Sequence, residues 1–94
     1  MKKLILLLLF VTSCNSPQTS KKNIEYINSD EHLANGYPFS EATIVNDIIY
    51  VSGQIGTSSN GEVVSGGIEA ETLQALQNIE SILKRNGGSK SDIF

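Results

Sequence analysis

The folded part of the chain switches between two hydrophobic rhythms. "IEYIN", residues 24–28, places Ile24, Tyr26 and Asn28 on one side and Glu25 and Ile27 on the other, a period of two that predicts a short edge strand. "SDEHLANGYPFSE", residues 29–41, breaks that rhythm: Asn35-Gly36 and Pro38 are turn and breaker signals, so the stretch reads as loop. "ATIVNDIIYVSG" then gives two strand-like runs around Asn46-Asp47, two residues that tolerate the left-handed backbone of a tight turn. A β-hairpin follows from that pattern. Its second run, Ile48 to Val51, is apolar at successive positions, which predicts cover on both faces.

The rhythm changes to that of a helix in "GGIEAETLQALQNIESILKRNGG". Leu73, Leu76, Ile79 and Leu83 recur at spacings of three and four, flanked by Ile68 and Ile82, while Gln74, Gln77, Glu80, Ser81 and Lys84 fall mostly opposite. Glu69 and Glu71 near its start and Lys84 and Arg85 near its end match the helix dipole, and Gly87 is placed as a left-handed cap. One amphipathic helix needs a sheet to lie on, and the hairpin supplies part of one. "SKSDIF" reads as the start of a further strand with Ile93 and Phe94 as its first core residues. These elements bury little apolar area for a domain, which predicts that the chain is a fragment of a longer protein.

The opening "MKKLILLLLFVTSC" changes this picture, because it is not fold at all. Two lysines, a short apolar run and small residues have the layout of an export signal, and the run from Leu4 to Val11 is too short for the roughly 20 residues that cross a bilayer. The organisation expected is therefore a signal peptide at 1–13, a polar linker at 14–23 and a partial domain at 24–94. The Val11-Thr12-Ser13-Cys14 sequence resembles the lipobox of bacterial lipoproteins, which makes Cys14 the candidate lipidation site. The alternative is an ordinary signal cut nearby that leaves an unpaired thiol. Cys14 is the single cysteine, so a disulfide within the chain is excluded.

Charge narrows the partners. The chain has 7 Lys+Arg against 10 Asp+Glu, and loss of Lys2 and Lys3 with the signal takes the net charge from −3 to −5. That balance disfavours nucleic acid, which is held by clustered lysine and arginine. Several candidate chemistries also weaken on inspection. His32 stands alone in the predicted loop and reads as a solvated polar residue; Glu41 and Asp47 read as surface charges with no paired-carboxylate spacing. Asn60-Gly61 lacks a following Lys-Ser/Thr and reads as a turn rather than a phosphate loop. Ser52 alone would pass for a strand-end hydroxyl satisfying a backbone group, and Phe39 for core packing.

Taken in order, "PFSEA", "VSGQIG", "GGIEAET" and "NGG" before "SDIF" resemble the N-terminal part of the RidA family, the reactive intermediate deaminases, also called YjgF or endoribonuclease L-PSP, from about Pro38 to Phe94. The resemblance implies an α+β, chorismate-mutase-like fold, a mixed β-sheet with helices on one face, truncated at its C-terminus in this chain. It also implies a homotrimer with sites in the clefts between subunits, and hydrolysis of enamine and imine intermediates such as 2-aminoacrylate and 2-imino acids to 2-oxo acids and ammonia. No metal or organic cofactor is implied. Ser52 matches the family's active-site serine, Gly53 the glycine beside it, and Phe39 the aromatic position that is usually tyrosine. The substrate-clamping arginine and the glutamate near the attacking water match positions beyond Phe94, so no catalytic set is complete here and the chain alone is expected to be inactive. Two function classes stand open: an exported, lipid-anchored deaminase of the 2-iminobutanoate/2-iminopropanoate type, and a non-catalytic trimeric module that binds a small molecule or a protein.

Overall fold

The computed structural model describes residues 14–94, so the predicted signal peptide at 1–13 lies outside the described residues. Residues 14–23 carry no regular structure, and Cys14 is exposed with a free thiol. Thereafter the chain forms β1 (Ile24–Ile27), α1 (Asp30–Ala34), β2 (Ala42–Val45), β3 (Ile48–Val51) and α2 (Gly67–Arg85), followed by a short 3-10 turn at Lys90–Asp92. The three strands pair antiparallel in the order β1-β2-β3.

The edge strand and the hairpin form as their patterns predict. Val45 pairs with Ile48, leaving a two-residue turn in which Asn46 takes φ 53. Because side chains alternate along each strand, Ile27, Ala42, Ile44, Ile49 and Val51 share one face, and Ile24, Tyr26, Val45, Ile48 and Tyr50 the other. The first face carries the fully buried Ala42; on the second, Ile24, Tyr26, Ile48 and Tyr50 are all exposed. The expected cover of β3 on both faces is thus not found among the described residues. Its apolar run fills one side of the sheet and leaves the other open.

α2 closes the first face with the C-terminal part of its stripe. Ile82 and Leu83 are its buried residues, whereas Ile68, Leu73 and Leu76 remain exposed. The helix ends in a Schellman arrangement: Gly88 N–H donates to the Leu83 carbonyl at 2.8 Å and Gly87, at φ 80, donates to the Lys84 carbonyl at 3.3 Å. Glycine at 87 supplies the left-handed backbone that a Cβ would oppose. Glu80 then links the helix to the following turn, bonding Lys84 at 2.9 Å and Lys90 at 3.4 Å, and Lys84 foremost holds its carboxyl below the usual glutamate range.

Two expectations about the connections are corrected. The stretch 29–41 is not all loop, because Ser29 caps α1 by accepting the His32 N–H at 3.2 Å, with Asp30 and Glu31 in the first turn. "SKSDIF" does not begin with a strand: the Asp92 carboxylate accepts the Ser89 N–H at 2.8 Å and folds the chain into the 3-10 turn. Ile93 has extended backbone after it, and both Ile93 and Phe94 are exposed. Asn60-Gly61 is a turn as predicted, with Gly61 at φ 83 between the bridged Thr57 and Val63.

The decisive close approach is at Gly56, which is buried beneath the backbone of α2. A Cβ there would lie 2.5 Å from Glu71 Cα and 2.5 Å from its carbonyl oxygen, and neither is a side-chain end that can swing away. Gly56→Ala is therefore expected to lower stability by about 1–3 kcal/mol, the range for forcing one methyl into a packed site. For a domain of this size that is a fall of about 4–8 °C in Tm per kcal/mol, read by thermal unfolding of wild type and variant side by side.

Candidate functional site

The site is built where β3 leaves the sheet. Ser52, directly after β3, donates its N–H to the Glu41 carbonyl at 3.0 Å and its Oγ–H to the Ser40 carbonyl at 2.6 Å. Both acceptors follow Phe39 in sequence, so the structure brings Ser52 against the segment that carries Phe39. Phe39 is itself held from the other side, its carbonyl 2.6 Å from His32 Nε2. Three successive carbonyls, of Phe39, Ser40 and Glu41, are thereby fixed by two side chains and one amide.

Phe39 does not pack in the core. It is 53 % exposed and stacks on Tyr37, with ring centroids 5.5 Å apart and planes 24° from parallel. His32 lies edge-on to Phe39 at 5.4 Å and tilted against Tyr37 at 5.0 Å. The reading of His32 as a lone solvated residue is corrected: α1 turns it inward onto these two rings. Its neighbour in sequence logic, Glu41, is likewise no free surface charge. Its carboxylate accepts from Arg85 Nη2 at 2.8 Å, from the Ser29 N–H at 3.1 Å and from Ser29 Oγ at 3.3 Å.

Gly53 is different from Gly56. It is exposed, its φ is not positive, and a Cβ added to it would meet nothing within 4 Å. Nothing in the packing of this chain demands glycine at that position, so the bare backbone faces outward. Beyond it, Asn78 on α2 fastens the loop by donating to the carbonyls of Ile55 at 3.1 Å and Thr57 at 3.0 Å, while Gln74 donates to its Oδ1 at 2.9 Å. A polar cleft of about 450 Å³ runs alongside, lined among others by His32, Tyr37, Glu41, Gln54, Asn78 and Arg85. Among the described residues no group of three His, Cys, Asp or Glu side chains is placed to hold a metal ion.

The family profile described as Endoribonuclease L-PSP matches residues 30–94, which takes in these side chains except Ser29. The chain belongs to the endoribonuclease L-PSP family. The human 2-iminobutanoate/2-iminopropanoate deaminase is 51% identical over 51 residues, covering 53% of this chain and 37% of the human protein. A RutC family protein of Sulfurisphaera tokodaii is 44% identical over 57 residues, 60% of this chain and 46% of that relative. Among solved structures, the yeast protein YEO7 superposes with a TM-score of 0.63 at 28% identity over 71% of this chain and 54% of the yeast chain. The α+β architecture of this L-PSP family chain is thus that of its structural relatives, and the chain spans less than half the length of these two curated relatives.

The hydroxyl of Ser52 is a donor already committed to a carbonyl, which fixes what Ser52→Ala should do. Loss of one such net hydrogen bond costs about 0.5–1.5 kcal/mol, so the variant should fold and melt a few degrees lower. Ser52→Thr keeps the hydroxyl and should recover most of that loss in the same unfolding experiment.

Proposed function

We propose that the protein carrying this chain hydrolyses reactive enamine and imine intermediates, 2-aminoacrylate and 2-imino acids, to 2-oxo acids and ammonia. The observation that carries the proposal is the 51% identity to the human 2-iminobutanoate/2-iminopropanoate deaminase across the segment that holds the candidate site. The geometry is compatible with it. Water adds to the imine carbon, the C=N electron pair and a proton go to nitrogen, and the tetrahedral carbinolamine then expels ammonia as the carbonyl forms. Such a reaction calls for placement of water and substrate more than for a nucleophile of the protein's own.

Ser52 suits placement. With its proton on the Ser40 carbonyl, its Oγ presents lone pairs outward and accepts a hydrogen bond from the attacking water or from the imine N–H. Gly53 offers open backbone beside it, and the exposed ring of Phe39 offers a face for the substrate's carbon skeleton. Phe39 has no hydroxyl, so it contributes shape and stacking rather than a hydrogen bond. The proposed assembly is a homotrimer, in which the open sheet face with Ile24, Tyr26, Ile48 and Tyr50 is available as the inter-subunit surface. No metal or organic cofactor takes part, and the net charge of −3 disfavours RNA as a substrate.

The assay uses protein from the complete reading frame with 2-aminoacrylate generated in place, following 2-oxo acid release. Wild type should exceed the spontaneous rate by at least an order of magnitude and Ser52→Ala should lose about tenfold or more of kcat/KM, on the scale of one misplaced hydrogen-bonding group. No acceleration by wild type would overturn the deaminase in favour of a binding module.

We also propose export with lipidation at Cys14, followed by a tether at 14–23. The exposed thiol at the head of an irregular polar segment supports this reading. Metabolic labelling with a fatty acid should mark the wild-type protein, and Cys14→Ser should abolish the label and leave the protein in the soluble fraction. A wild-type protein that takes no label would remove the lipoprotein assignment.

A further inference from the structure

One connection from α2 to the site runs through a single side chain, that of Glu41. Glu41 sits between β1, α1, α2 and the segment after β3, with its side chain only 13% exposed. Both carboxylate oxygens are occupied: Oε2 by Arg85 Nη2 at 2.8 Å and the Ser29 N–H at 3.1 Å, Oε1 by Ser29 Oγ at 3.3 Å. Its backbone is tied as well, the N–H donating to Asn28 Oδ1 at 3.0 Å and the carbonyl accepting Ser52 N–H at 3.0 Å.

Each half of the candidate site hangs from this node. Ser52 is reached directly, through the Glu41 carbonyl. Phe39 is reached through the cap: the Ser29 hydroxyl donates to Glu41 and so turns its lone pairs to the His32 N–H at 3.2 Å, and His32 Nε2 holds the Phe39 carbonyl at 2.6 Å. Only an acceptor at position 41 orients Ser29 in that sense. Arg85 stands one step further out, on the last turn of α2, and its contact crosses 44 residues of sequence.

We propose that Glu41 is a positioning residue for the Ser52–Phe39 site, and that Arg85 acts on the site solely by orienting the Glu41 carboxylate. The proposal rests on the reading that Ser52 and Phe39 touch substrate. The ranking of variants follows from these bonds. Glu41→Gln keeps an acceptor for Ser29 and loses the ion pair, so it should match Arg85→Ala. Glu41→Ala also frees the Ser29 cap and should be the worst. With Arg85 45% exposed, loss of the ion pair alone is a small effect.

The test is a double-variant cycle on protein from the complete reading frame. Glu41→Gln and Arg85→Ala should each lower kcat by about twofold to fivefold with KM nearly unchanged, and the double variant should be no worse than either single, since paired groups do not add. Glu41→Ala should lower kcat by about tenfold or more. Additive losses in the double variant would overturn the role of Arg85.

Amide hydrogen exchange separates this proposal from the deaminase reading, because it needs no turnover. In Glu41→Ala the Ser52 amide should exchange at least tenfold faster while the buried Ile82 amide in α2 stays within twofold of wild type, the signature of a local opening. Equal acceleration at both amides would mean general destabilisation and would overturn the positioning role, as would an unchanged Ser52. If wild type turns over no imine yet Ser52 is released selectively, the deaminase reading fails and the hold of Glu41 on Ser52 stands.

Discussion

The backbone of α2 lies so close to Gly56 that any Cβ there would force one of them to shift, and the course of residues 52–56 depends on that contact. β3 ends at Val51, and within five residues the chain must leave the sheet and slide under the helix. Asn78 then holds it there by two carbonyls, those of Ile55 and Thr57. At the near end, Ser52 is tied to the carbonyls of Ser40 and Glu41. Residues 52–56 are therefore a short span fixed at both ends, and the one exposed glycine within it, Gly53, is presented by its neighbours rather than by its own conformation. The two glycines of one motif differ: Gly56 admits the helix, and Gly53 leaves exposed backbone that nothing among the described residues covers.

Periodicity carried the regular elements because their physics is local. A period of two over residues 24–27 and the Asn46-Asp47 turn locate an edge strand and a hairpin, and the three-and-four spacing of Leu73, Leu76, Ile79 and Leu83 locates α2, although of that stripe only Leu83, with the flanking Ile82, is buried. α1 carries no periodic signature because it is five residues long, buries none of them, and lies before a turn and a proline. Its signal was a capping one, Ser29 followed by two acids, and not a hydrophobic stripe. Ser52 and Phe39 were legible as candidates only through the resemblance of ordered motifs. Glu41 and His32 were not, because what makes them interesting is long-range: the Arg85 partner lies 44 positions away, and the aromatic partners of His32 sit across a turn.

The same sheet explains why so much apolar surface stays in view. Only Ala42, Ile82 and Leu83 form the hydrophobic core among the described residues. Four large side chains on one sheet face and the exposed Leu73 and Leu76 of α2 remain outside it. An open apolar groove of about 950 Å³ also runs between the free edge of β3 and α2, lined in part by Ile44, Ile48, Leu76, Ile79 and Leu83. Single exposed apolar residues are ordinary on protein surfaces, but a contiguous face and a groove beside an unpaired strand edge are not.

The commitment of the Ser52 proton also limits the chemistry open to the site. A serine nucleophile needs a base on its own hydroxyl, within hydrogen-bonding reach and oriented by a third group. Here the hydroxyl points at the Ser40 carbonyl, which cannot take the proton, and the one histidine of the chain spends Nε2 on the Phe39 carbonyl. Among the described residues no base is therefore placed on the Ser52 hydroxyl, and its oxygen keeps lone pairs with which to accept a hydrogen bond. The deaminase reaction proposed above fits that arrangement, since an imine carbon is already electrophilic and an imine N–H is a donor from which a serine oxygen can accept a bond. Attack by water then asks of the protein a fixed geometry, which the carbonyl clamps on residues 39–41 and the seat of Gly56 against α2 are suited to give.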